Sequence, residues 1–119
     1  MSSRKDLVEA YSDGFRRSDH EQILACLTDD DVWDLPGFKH LTGKAAFDGE
    51  IENPEFVGSP TLHVDRLVEE SDTVVAIGDG EGTHKSGAVF RFAFSDVFTF
   101  AGDKLCRVES YVVPLKGEE

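Results

Sequence analysis

Residues 88–100, AVFRFAFSDVFTF, are the stretch whose reading decides the fold. The residues alternate, so that Phe90, Phe92, Phe94, Phe98 and Phe100 share one face of an extended strand. Asp96 interrupts this aromatic row, with Phe94 and Phe98 two residues away on either side. If that face is interior, desolvation favours the neutral acid and raises its pKa. Carboxyl groups perturbed in this way recur at acid–base and hydrogen-bonding sites. The alternative is a rim position, where Asp96 is solvated or holds a backbone donor. The other parity, Val89, Arg91, Ala93, Ser95, Val97 and Thr99, is mixed, as suits an outer or partner-facing surface.

Outward from this strand, the chain reads as β from Thr61 onward. Residues 62–70, 73–83 and 105–113 form the other strands, joined by short polar turns around Ser71–Asp72, His84–Gly87 and Gly102–Asp103. Turns this short imply hairpins and therefore an antiparallel meander. Gly78, Gly80 and Gly82 leave one strand face bare, open to close approach by a helix or a ligand. Their G-x-G spacing lies inside a strand and lacks the strand–turn–helix setting of a nucleotide loop, which excludes that reading. Leu62, Val64 and Val68 mark the buried face of the first of these strands and leave His63 and Asp65 at the surface. In the last strand the interior set is Cys106, Val108, Ser110 and Val112. Leu105, Arg107, Glu109, Tyr111 and Val113 form the outer face.

The N-terminal third reads as helical. A first helix starts at Ser2 or Ser3, with Asp6 in its first turn and Leu7, Tyr11, Gly14 and Phe15 as the buried stripe. Ser18 and Glu21 form a capping box for a second helix with Ile23, Leu24 and Leu27 on its apolar face. Asp29, Asp30 and Asp31 then make a solvated turn, and His20 lies at the surface. VWDLPG, residues 32–37, is a short strand stopped by Pro–Gly, with Val32 and Asp34 on one face and Trp33 and Leu35 on the other. A third helix spans about 42–51 and ends before Pro54. Three helices followed by a meander define an α+β domain: a cone-shaped barrel of curved antiparallel sheet, with the helices closing an apolar pocket.

A chain of 119 residues is expected to make a single domain, 1–119. Its net charge of -12 argues against nucleic acid and anionic membranes as partners. Cys26 and Cys106 form no C-x-x-C pair, so reduced thiols in a cytoplasmic protein are expected. No segment reads as a signal sequence or a membrane span. His20, His40, His63 and His84 are scattered without metal-ligand spacing, and no cofactor is implied. No serine sits in a nucleophile elbow.

Tyr11, Asp34 and Asp96 remain, each read as lying on the apolar face of its element. Such a set can remove a proton with one carboxylate and hold the resulting oxyanion with the other two donors. Tyr11 as a plain core residue and Asp34 as a turn residue bonding local amides are the alternatives.

The order of elements and three strings resemble the nuclear transport factor 2-like superfamily, in its SnoaL-like and ketosteroid isomerase-like branch. LVEAYSDGF resembles that family's first helix with its pocket tyrosine, here Tyr11. DDDVWDLPG resembles its first strand, and the resemblance makes Asp34 the isomerase base. FSDVFTFAGDKLCRVESYVVP resembles its last hairpin. There Asp96 matches the protonated aspartate of the isomerases, a known case of a neutral acid at pH 7. In SnoaL-like cyclases an aspartate in this part of the sheet is the acid–base residue. The resemblance thus implies a cofactor-independent isomerase or cyclase acting on a small apolar carbonyl compound. A non-catalytic ligand-binding or dimerisation module is the alternative. Phe15, Phe38, Phe47, Phe94, Phe98 and Val112 are expected to line the pocket. A homodimer through the outer sheet face is expected from the composition of that face and from the resemblance.

Overall fold

The aromatic strand sits well inside the sheet, hydrogen-bonded on both sides. This follows from the computed structural model, which describes residues 4–52 and 54–115. Among these, the elements are helices α1 (Arg4–Arg17), α2 (His20–Leu24) and α3 (Lys44–Gly49). The strands are β1 (Leu27–Leu35), β2 (Lys39–Thr42), β3 (Phe56–Glu70), β4 (Thr73–His84), β5 (Val89–Ala101) and β6 (Lys104–Leu115). The expected N-cap at Ser2 or Ser3 lies outside the described residues. No described helix is long and apolar enough to cross a membrane.

The strand order is β2-β1-β6-β5-β4-β3, in a curved, unclosed sheet. β3 to β6 form the expected antiparallel meander, turning at the expected places. The sheet as a whole is mixed, because β1 pairs parallel to β6. The two edges never meet, so the barrel stays open and the helices cover its concave side.

That concave face collects the apolar parity of each strand. Val74 and Ala76 of β4, Phe94, Phe98 and Phe100 of β5, and Leu105 and Val108 of β6 are buried with Val8, Tyr11, Ile23 and Phe47 of the helices. Gly78 explains how β3 curls so tightly onto β4. A β-carbon there would lie 2.0 Å from the His63 carbonyl oxygen and 3.0 Å from the Phe94 ring. The bare face therefore admits a neighbouring backbone and phenylalanine rings.

Several local expectations change. Asp19, not Ser18, caps α2: its carboxylate accepts from the Gln22 amide. Ser18 instead takes a left-handed φ of 51°. Leu27 belongs to β1 and not to α2. Asp29 and Asp30 are exposed, but Asp31 is 1% exposed, and neither of its carboxylate oxygens has a partner among the described residues. Burial raises its pKa. Leu105, expected outside, is fully buried, because Cys106 is an extra residue where the β5–β6 register shifts. Val68, expected inside, is 49% exposed, because the register shifts between Val64 and Arg66 and hands the interior to Leu67.

Candidate active site

Between the sheet's concave face and the helices lies a cavity of about 250 Å³. Tyr11, Phe15, Trp33, Phe94, Asp96 and Ser110 are among its lining residues. β5 carries Asp96 to it by the alternation that places Phe94 and Phe98 inside. The ladder sets Asp96 opposite Ser110 of β6.

One local hydrogen bond has a fixed direction. An indole N–H can only donate, and Trp33 Nε1 donates to Ser110 Oγ at 3.0 Å. The Ser110 hydroxyl accepts that bond and keeps its own proton and a second lone pair, so that it donates to a charged Asp96 carboxyl and accepts from a neutral one. As a donor it lowers the pKa of Asp96. Trp33 itself is held by stacking on Phe47, with ring centroids 4.3 Å apart.

Two opposing effects set the acidity of Asp96. Desolvation in the apolar wall raises its pKa and the Ser110 hydrogen bond lowers it, leaving it pushed up to about 7 from an ordinary 3.8. Tyr11 is 4% exposed, wedged edge-on against Phe98 at 5.1 Å. Burial, then the charge of Asp96, raises its pKa well above the usual phenol value, so its hydroxyl stays a neutral donor.

Asp34 does not join this group. It lies on the opposite face of β1 from Trp33, where Arg107 Nη2 meets its Oδ2 at 3.1 Å and His40 Nδ1 lies 3.7 Å from its Oδ1. The expectation that Asp34 and Asp96 act in one pocket is therefore corrected. In β1 the interior parity belongs to the bulkier pair, Trp33 and Leu35, and the carboxylate is turned out to a guanidinium. The lining residues need correction as well. Phe15, Phe94 and Val112 line the cavity. Phe47 and Phe98 are fully packed core behind it, and Phe38 is 81% exposed in the loop after β1. Ser110 and Trp33 are the site residues that sequence reasoning did not assign a role. Part of their signal was available: Ser110 shares the interior parity of Val108 and Val112, and Trp33 the face of Leu35.

Residues 8–108 match the SnoaL-like domain family, and the chain belongs to that family. Its fold is that of nuclear transport factor 2-like proteins. One such structure, of unknown function, from Burkholderia pseudomallei superposes with a TM-score of 0.83 at 21% identity, covering 92% of this chain and 90% of that one. A protein from Xanthomonas campestris proposed to be a polyketide cyclase superposes with a TM-score of 0.79 at 24% identity, covering 91% and 88%. A protein with a ketosteroid isomerase-like fold from Catenulispora acidiphila, in complex with trimethylamine, gives 0.80 at 12% identity, covering 89% and 84%. Among curated proteins nothing matches the chain.

Proposed function

We propose that this chain is a cofactor-independent acid–base enzyme for an apolar carbonyl compound, with Asp96 as the group that moves the proton. The observation that carries this reading is a carboxyl group of pKa about 7 in the wall of an apolar cavity. A general base works best when its pKa lies near the operating pH. As the carboxylate, Asp96 takes a proton from the carbon beside the substrate carbonyl, and the C–H electrons pass into an enolate. Tyr11, neutral and in the same cavity, donates to the enolate oxygen. The enolate carbon then attacks a second carbonyl carbon of the same molecule, forming the C–C bond. The alkoxide left when that C=O π bond breaks takes the proton back from Asp96. Likeness to the Xanthomonas protein favours this aldol-type cyclisation over isomerisation. So does the position of Asp34, outside the cavity, since the isomerase scheme needs it as the base.

The test is hydrogen–deuterium exchange beside the carbonyl of simple methyl ketones, followed by NMR in D₂O. The wild-type protein is expected to accelerate exchange, with a rate that rises with pH through about 7. Asp96→Asn is expected to be slower by about 100-fold or more. No acceleration would leave the non-catalytic ligand-binding reading in its place, and an unimpaired Asp96→Asn would remove Asp96 as the base.

The same reading includes a two-fold homodimer through the convex sheet face. Val89, Tyr111, Val113 and Leu115 are each more than two-fifths exposed there. Among them run paired charges such as Arg107 with Asp34 and Arg91 with Glu81. Apolar and aromatic groups interleaved with satisfied charges suit an interface better than bare solvent.

A further inference from the structure

Beside the Asp96 cavity lies a second one of about 260 Å³, and Ile51, Pro60 and Phe92 line both. Phe92 is the shared floor. Phe94 continues it into the Asp96 chamber and Phe90 into the other, where Phe56 follows. Successive ring centroids along this row are 6.1, 5.6 and 6.3 Å apart, so one aromatic surface runs from Phe56 to Phe94. The shared wall has a cause in the backbone. β3 and β4 lose register between Val57 and Thr61, and Gly58, Ser59 and Pro60 arch out of the ladder. Gly82 of β4, opposite this arch, presents only hydrogen, which leaves room for the Phe56 ring.

The two chambers differ in what they offer a ligand. The first holds Asp96, Ser110 and Tyr11. In the second, the polar lining groups at the helix side are already engaged: Ser18 Oγ with Ser59 Oγ at 2.6 Å, and Glu52 with His20 Nε2 at 2.5 Å. Its remaining lining residues are apolar apart from Thr83. Each chamber alone falls short of the roughly 300–1,000 Å³ of small-molecule sites, and the pair together falls within that range.

We propose that the two cavities form one site for an elongated carbonyl compound, its reacting head at Asp96 and its apolar tail on the Phe56–Phe90–Phe92 surface. This rests on the reading of Asp96 given above, and it adds the substrate class: a ketone with a long hydrocarbon tail.

The experiment measures affinities of straight-chain methyl ketones from hexanone to tridecanone by calorimetry, for the wild-type protein, Phe90→Ala and Asp96→Asn. Phe90 is 37% exposed, so its truncation does not empty the core. The expected wild-type result is a gain of about three- to fourfold per added methylene that continues through the long members. Phe90→Ala is expected to lower the tridecanone-to-hexanone affinity ratio by about tenfold. The inference is overturned if affinity stops rising among the short ketones, if Phe90→Ala weakens every length alike, or if no ketone binds saturably. Asp96→Asn separates the two ideas. A variant that binds all lengths as the wild type does removes Asp96 as the head contact and leaves the tail chamber standing. Uniform loss with Asp96→Asn, combined with no chain-length gain in the wild type, does the reverse.

Discussion

Trp33 can only donate, and its N–H takes up one lone pair of the Ser110 hydroxyl beside Asp96. The Ser110 hydroxyl keeps its own proton for the charged carboxyl, and that bond favours the charged form against the desolvation of the cavity wall. The balance has a measurable consequence for stability. The folded pKa of Asp96 is raised, so its contribution is fully present below the unfolded value of about 3.9 and is lost as pH rises through about 7. Displacement from 3.8 to about 7 amounts to at most about 4 kcal/mol. Urea unfolding across pH 4 to 8 is expected to show this decline in the wild type. Asp96→Asn should lack it apart from the shares of Asp31 and His20, whose pKa values are also raised. Ser110→Ala removes the donor and should carry the decline to higher pH. Equal profiles for all three proteins would show Asp96 to be in water.

At the scale of elements, the glycine row of β4 grades the tolerance of the sheet. An added β-carbon at Gly78 or Gly80 would lie 2.0 or 2.4 Å from a β3 carbonyl oxygen, and one at Gly82 meets only the Phe56 ring at 3.0 Å. A carbonyl oxygen cannot retreat without deforming β3, whereas a ring can turn. Gly78→Ala is expected to cost about 3 kcal/mol or more and Gly82→Ala about 1 kcal/mol, read from urea midpoints. A reversed order would mean that β3 gives way more easily than its carbonyl contacts imply. The same strands show what alternation reveals and what it hides. Phe94, Asp96 and Phe98 were legible because β5 runs without a slip through them. Val68 and Leu105 were misassigned because one extra residue in β3 and one in β6 set the side chains before it and after it on opposite parities. Bulges leave no mark in apolar periodicity. Asp34 was misplaced for another reason: its strand lacks a hairpin to β6, so the parallel partner that fixes its facing cannot be read from turn lengths.

At the scale of the whole molecule, the convex face carries the expectation of assembly. Sedimentation at micromolar concentration is expected to give twice the mass of one chain, and Val113→Glu, at an exposed position of that face, should yield the monomer. A monomeric wild type would remove the dimer from the proposal. The pairing of β1 with β6 bears on how the chain acquires its structure in time. β3, β4 and β5 meet through local turns, whereas Leu27 finds Leu105 and Trp33 finds Val108 only across most of the sequence. Closing so long a loop is entropically slow, and it has to wait for the last strand to leave the ribosome. The meander is therefore free to form first, and Trp33 docks on it afterwards. As the only tryptophan in the chain, it makes its fluorescence a clock for that final step. The chamber that holds Asp96, walled by both β1 and β6, thus comes into being only when folding ends.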